Sequence, residues 1–207
     1  MLVEELQLKR LIIGEDFALG RQRGGDPHTL AQLGRELGFA VDVIELIAGN
    51  GEQPEKISST DIRSALAAGD IDRVRALLGR RFSVHGPVVL GFERGRTIGF
   101  PTANVAVGAD RAIPGPGVYA TFAHLPEGVR PSVTNIGVRP TFEDNAELSI
   151  ECHIFDFEGD LYNTDLRVEF VRRLRGERKF EGVAQLVAQI GRDCAAARAL
   201  LAEEGAP

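Results

Sequence analysis

The sequence predicts an α+β protein in two parts, a short parallel strand–helix segment followed by an antiparallel barrel or sandwich that ends in a helix. Three observations carry this. Strands and helices alternate up to residue 79; short strands then follow one another without helices between them; and the last segment has helical periodicity.

The elements follow in order. "MLVEELQLKR" reads as a short helical segment leading into "RLIIG", a buried strand. The glycine-rich turn "GEDFALGRQRGGD" opens onto "PHTLAQLGRELG", helical by period and closed by Gly38. "FAVDVIEL" is strand-like and "GNGEQPEK" is a loop. "ISSTDIRSALAAGD" is a Ser/Thr-capped helix ending at Gly69, and "IDRVRALLG" is another helix. This alternation implies a parallel sheet, but two strands are too few for a sheet that needs both faces covered. We place the domain boundary between residues 79 and 80, giving parts 1–79 and 80–207.

Beyond it, "SVHGPVVLG", "GVYATFAHL", "PSVTNIG", "LSIECHIFDF" and "LRVEFVRRL" are short strands separated by Gly/Pro/Asp-rich turns. In the closing "FEGVAQLVAQIGRDCAAARALL", Val183, Val187, Ile190, Cys194, Ala197 and Leu201 recur at helical spacing, so this stripe is expected to dock on the barrel.

Composition limits the function. Of 207 residues 43% are hydrophobic, enough for a substantial core. The formal net charge is −6, from 24 Lys+Arg against 30 Asp+Glu, which argues against nucleic acid as a partner. Cys152 and Cys194 are far apart and match no metal-ligand spacing, so they read as core thiols of a reduced, cytoplasmic protein. No apolar run can span a bilayer, and acids occupy the first residues where a signal peptide carries a basic region; no membrane partner is expected.

The most informative stretch is "GFERGRTIGFPTAN". Gly91, Gly95 and Gly99 let the backbone approach a ligand closely, and amides in such loops cradle phosphate oxygens. Arg96 adds a cation and Pro101 stiffens the exit. Thr102 and Asn104, two residues apart in an extended segment, offer two neutral oxygens on one side, suited to Mg²⁺ carried by a nucleotide. The plain alternative is a glycine-rich hairpin with a capping Thr and Asn.

"GRTIGFPTAN" resembles the signature of the riboflavin kinase module of bacterial bifunctional riboflavin kinase/FAD synthetases. "GVYA", "NIGVRPTF", "ECHIFDFEGDLY" and "RVEFVRRLRGERKF" are similar to that family's later landmarks in the same order, and "GEDFALGRQRGGD" and "ISSTDIR" to the end of its FMN adenylyltransferase domain. The resemblance implies a six-stranded antiparallel Greek-key barrel with a terminal helix, preceded by a partial Rossmann-like nucleotidyltransferase segment. It implies transfer of the γ-phosphoryl of Mg·ATP to the ribityl 5′-hydroxyl of riboflavin, with FMN and ADP as products.

In "ELSIECHIFDF" alternation puts Leu148, Ile150, Cys152 and Ile154 on one face and Ser149, Glu151, His153 and Phe155 on the other. A carboxylate at a barrel mouth can take the proton of an alcohol, and by resemblance Glu151 matches the family's catalytic carboxylate. His153 shares that face as a structural hydrogen-bonder. In "RLRGERKF", Arg175 matches a family arginine on the flavin side of the site, where a planar guanidinium can stack. Tyr119 lines the nucleotide pocket or packs at the core edge.

Ser58, Ser59 and Thr60 sit at a helix start with Arg63 one turn on, either a remnant of the adenylyltransferase phosphate site or a helix cap with a surface arginine. That domain's H-x-G-H type motif is absent, since His28, His85, His124 and His153 are widely spaced. By family comparison we expect roughly the first hundred residues, most of one nucleotide-binding domain, to be missing. Three functions stay open: a riboflavin kinase with a vestigial appendage, an enzyme that also makes FAD, and a non-catalytic flavin- or nucleotide-binding module.

Overall fold

The structure, a computed structural model, describes residues 3–45, 57–91, 94–139 and 147–206. The expected loop at 49–56, Phe92 and Glu93 of the glycine-rich stretch, and residues 140–146 after "NIGVR" lie outside the described residues. The chain forms two compact units, Met1–Ile57 and Ser58–Pro207.

In the first unit, β1 (Arg10–Gly14) pairs in parallel with β2 (Ala40–Ile44), Leu11 opposite Val41, through helix α1 (Pro27–Leu37). Sequence chemistry bounds α1 closely. The Asp26 carboxylate accepts from the Thr29 amide at 2.7 Å, Pro27 takes the first turn, and Gly38 ends the helix in the left-handed conformation (φ 80°). Ile13 and Leu30 are buried, whereas Ile12, Val43 and Ile44 stay exposed. The helix expected at the N-terminus is instead a series of turns over residues 3–6.

The second unit starts with α2 (Ser59–Ala68) and α3 (Ile71–Leu78), capped by Ser58 and Asp70 and each ended by a left-handed glycine. The compact units divide at 57/58, whereas the domain boundary read from the sequence lies at 79/80. Both helices are bound to the barrel. Leu66 and Val74 pack with Phe82 at the barrel's entry, the Gly115 amide donates to the Leu66 carbonyl at 2.8 Å, and Arg173 donates to the carbonyls of Ala68 (3.0 Å) and Pro116 (2.7 Å). A Cβ at Gly115 would lie 2.1 Å from the Ala67 carbonyl oxygen, so the approach requires glycine.

The barrel strands are β3 (Phe82–Val89), β4 (Ala103–Val105), β5 (Gly117–Leu125), β6 (Gly128–Arg139), β7 (Glu147–Ile154) and β8 (Asp165–Arg175), with a short helix, α4 (Arg94–Thr97), before β4. They close antiparallel in the order β3-β4-β7-β6-β5-β8. Strands β5, β6 and β7 follow one another as neighbours and β8 returns beside β5, which is the Greek-key arrangement.

Alternation divides β5, β6 and β8 between two cores. Val84, Val88, Val105, Ile136, Ile150 and Phe170 belong to one cluster, with fully buried Tyr119. A buried hydroxyl group, Thr121 bonded to Ser132 (2.7 Å) and Thr134 (2.8 Å), lies beside Cys152. The other faces of β5, β6 and β8 present Val118, Phe122, Val133 and Val171 to α5 (Val183–Glu204), which buries Ala197 and Leu201 there. The expected stripe of α5 is rotated at its start. Val183 is 63% exposed, and Gln189 and Asp193 are buried.

Candidate functional site

After α4, residues 98–102 of the glycine-rich stretch turn tightly into β4. The Phe100 amide donates to the Gly95 carbonyl at 2.8 Å. A Cβ at Gly95 would stand 2.3 Å from the Phe100 carbonyl oxygen, and Gly99 has φ +87°, so both positions need glycine. A Cβ at Gly91 would collide with the Asn104 side chain. His153 pins the loop to β7, with its Nδ1 2.7 Å from the Pro101 carbonyl oxygen. A carbonyl can only accept, so Nδ1 carries the proton.

Glu151 lies in a row of polar residues across three strands. Asn104 of β4 is its partner on one side and Asn135 of β6 on the other. Directly opposed residues share a face, so the two amides flank the carboxylate. Asn104 is 8% exposed, and Glu151 and Asn135 are half-buried.

Two cavities open around this row. The larger, about 530 Å³, is bordered by Gly91, Arg96, Pro101, Thr102 and Asn104 on one side and by residues 157–162 on the other. The smaller, about 320 Å³, is bordered by Gly95, Thr102, Asn135, Glu151, Arg175 and Phe180. Among the described residues Thr102 alone borders both. Arg175 is held by Asp193, donating from Nε (3.0 Å) and Nη2 (2.8 Å), while its Nη1 donates to the Gly176 carbonyl at 2.9 Å. Its guanidinium carbon stands 5.9 Å from the centre of the Phe180 ring.

Other residues singled out in the sequence fall elsewhere. Tyr119 borders neither cavity. Its ring packs edge-on against Phe170, its hydroxyl donates to the Gly115 carbonyl, and burial pushes its phenol up, an arrangement that gives it a packing role. Gly99 also borders neither and serves the turn. Ser58, Ser59, Thr60 and Arg63 start α2 away from both cavities. The Ser58 hydroxyl accepts from the Asp61 amide (3.1 Å) and donates to the Asp61 carboxylate (2.5 Å), which is a helix cap with an acid in the first turn. The Cys152 thiol, which borders the larger cavity, is raised by burial, partly offset by bonds to Thr134, Ser132 and Thr121. It stays protonated at neutral pH.

Sequence reasoning missed Asn135, Gln189 and Asp193. Asn135 has no pattern of its own and is found only by register with Glu151. Asp193 had a signal, an acid beside Cys194 on the side of α5 facing the barrel.

Among the described residues no group of three or more His, Cys, Asp or Glu could hold a metal ion. The Thr102 hydroxyl and Asn104 amide are hard neutral oxygens at one cavity. That donor set fits a cation that arrives on phosphates and keeps several waters, not a resident all-protein site.

A closed barrel with two cavities meeting at one threonine, one edged by glycines and neutral oxygens and the other by a carboxylate and an arginine, has the layout of a protein that brings two small molecules together. The chain belongs to the riboflavin kinase family, whose model matches residues 78–201. Residues 1–61 match the FAD synthetase model. The chain is 40% identical over 202 residues to a bifunctional riboflavin kinase/FMN adenylyltransferase of Pseudomonas fluorescens, covering 98% of this chain and 64% of that one. It is 38% identical to the same-named protein of Bacillus subtilis, covering 91% and 59%. It therefore spans about three fifths of the length of these relatives. A solved structure described as a macrolide-efflux protein from Streptococcus pneumoniae superposes with a TM-score of 0.75 at 32% identity, covering 90% of this chain and 60% of that one. Among the described residues no helix is long and apolar enough to cross a membrane.

Proposed function

We propose that this chain is a riboflavin kinase, transferring the γ-phosphoryl of ATP to the 5′-hydroxyl of riboflavin to give FMN and ADP. The observation that carries the reading is Thr102, the shared border of the two cavities, with Asn104 on one side and Glu151 on the other. Mg·ATP occupies the larger cavity, its phosphates against the amides of the glycine loop and Arg96. Riboflavin occupies the smaller, its ring toward Arg175 and Phe180 and its ribityl chain toward Glu151.

The Glu151 carboxylate accepts the proton of the 5′-hydroxyl as that oxygen bonds to the γ-phosphorus. The bond from the γ-phosphorus to the bridging oxygen breaks, and ADP leaves with that electron pair. Asn104 and Asn135 hold the carboxylate between them. Thr102 and Asn104 would offer protein oxygens to a Mg²⁺ ion carried by ATP, which when bound would neutralise charge on the phosphates. The site recognises a flavin and a nucleotide rather than nucleic acid or a membrane, and the cytoplasm, which supplies ATP and keeps thiols reduced, is its compartment.

These 207 residues, tested as they stand, are expected to carry out no adenylyl transfer, because the Ser58 hydroxyl at the start of α2 is engaged with the Asp61 carboxylate. Chromatography of flavins tests both halves of the proposal. Riboflavin, ATP and Mg²⁺ are expected to yield FMN, and FMN with the same additions no FAD above background. Flavin retention without turnover refutes the kinase reading, and appreciable FAD refutes the limitation.

A further inference from the structure

We propose that Asp193 is a positioning residue that locks the Arg175 guanidinium as a flat wall for the flavin ring; this rests on the riboflavin reading of the smaller cavity. Asp193 lies on α5, on the face turned to the barrel, where an ionised group is costly unless paired. It is 6% exposed and fully engaged. Arg175 donates to it from Nε and Nη2, and the Gln189 amide donates to its Oδ1 at 2.8 Å. Gln189 is held in turn, since its Oε1 accepts from Arg192 at 2.8 Å and from Arg178 at 3.3 Å.

The consequence lies in what remains of Arg175. Nε and Nη2 face Asp193, and Nη1 faces the Gly176 carbonyl. Each of the three guanidinium nitrogens thus already donates one hydrogen bond within the protein, and the edge made by Nε and Nη2 is taken by Asp193, which leaves the planar face as its main offer to the cavity. Phe180, Leu186, Ile190, Val118 and Val133 complete an apolar wall around it. A planar cation beside apolar walls suits a fused aromatic ring, whereas a phosphate needs the donor edge that Asp193 has taken. A lysine has no such face.

The test uses the full chain with riboflavin and with lumiflavin, the ring system lacking the ribityl chain. Binding is followed by flavin fluorescence, and turnover at saturating Mg·ATP gives kcat and KM. Asp193→Asn keeps the shape but removes the charge that fixes the guanidinium. It is expected to weaken both flavins by about tenfold and raise KM for riboflavin by a similar factor, with kcat changed by less than about twofold. Arg175→Gln is expected to lose as much, and Arg175→Gln/Asp193→Asn no more than Arg175→Gln alone, because Asp193 acts through Arg175. Unchanged flavin binding in Asp193→Asn, or losses that add in the double variant, overturns the proposal. If Asp193→Asn does not fold, the double variant, which leaves no buried charge unpaired, is compared with Arg175→Gln and decides the matter. If the parent chain binds neither flavin, the riboflavin reading falls and this proposal with it.

Discussion

Glu151→Gln isolates the proton-accepting role of the carboxylate. The replacement has the same shape, and its neighbours Asn104 and Asn135 are amides that can bond to another amide, so packing across β4, β7 and β6 is preserved. Glu151 is half-buried on the outer face, with Ile150 and Cys152 beside it pointing inward, so the exchange leaves the core alone. What disappears is a base beside the alcohol. Losing a positioned general base costs about 10²- to 10⁴-fold in rate, or ~2.7–5.4 kcal/mol of barrier at ~1.36 kcal/mol per decade. Phosphoryl transfer with a loose transition state leans on positioning and charge neutralisation, which Thr102 and Asn104 still supply, so the lower part of that range is expected. The assay is FMN formation at saturating riboflavin and Mg·ATP, alongside flavin and nucleotide binding. Near-parental turnover, within about threefold, refutes the base assignment. Lost turnover accompanied by equal loss of flavin binding shows that Glu151 holds substrate instead.

Three further outcomes are expected. Thr102→Val and Asn104→Ala raise the Mg²⁺ concentration needed for half-maximal turnover several-fold; early melting with an unchanged Mg²⁺ profile in the folded fraction identifies them as hairpin residues instead. Tyr119→Phe leaves the buried Gly115 carbonyl without its donor and costs about 1–3 kcal/mol in denaturant unfolding, with the Mg²⁺ profile unmoved. Glu204 accepts from Arg75 at 2.9 Å and from Arg81 at 3.1 Å, and these bonds hold its carboxyl below the ordinary 4.5. Because the folded value is depressed, its stabilisation is complete well above pH 4.5 and is lost as pH falls through the folded value; Arg75→Met is expected to flatten that acid limb of the stability curve.

What the sequence disclosed followed local chemistry. α1 was legible because Asp26, Pro27 and Gly38 mark its ends, and the face of Glu151 because β7 pairs with β6 in unbroken register from Ser132–Ile154 to Arg139–Glu147. Non-local geometry was not legible. Asn135 reaches Glu151 only through strand pairing, and Asp193 broke an apolar stripe whose phase was set by Val183, which the structure leaves in solvent. Tyr119 sits within a recognisable "GVYA", yet whether a strand tyrosine turns toward ligand or core depends on which face is enclosed. Its target, the Gly115 carbonyl, lies where α2 meets the barrel, a contact that periodicity in either element cannot foretell.

The attachment of α2 and α3 to the barrel sets where the chain can be cut. The riboflavin kinase match begins at residue 78, and a fragment expressed from there would lose both helices. Phe82 would lose its cover of Leu66 and Val74, and Arg173 its acceptor at Ala68. Such a fragment would present fresh apolar surface at the barrel's entry and would tend to self-associate. Starting at Ser58 retains the cap, both helices and every one of these contacts. For limited proteolysis or recombinant expression, a piece that begins at Ser58, twenty residues before the family match does, is expected to be more stable than one cut at residue 78.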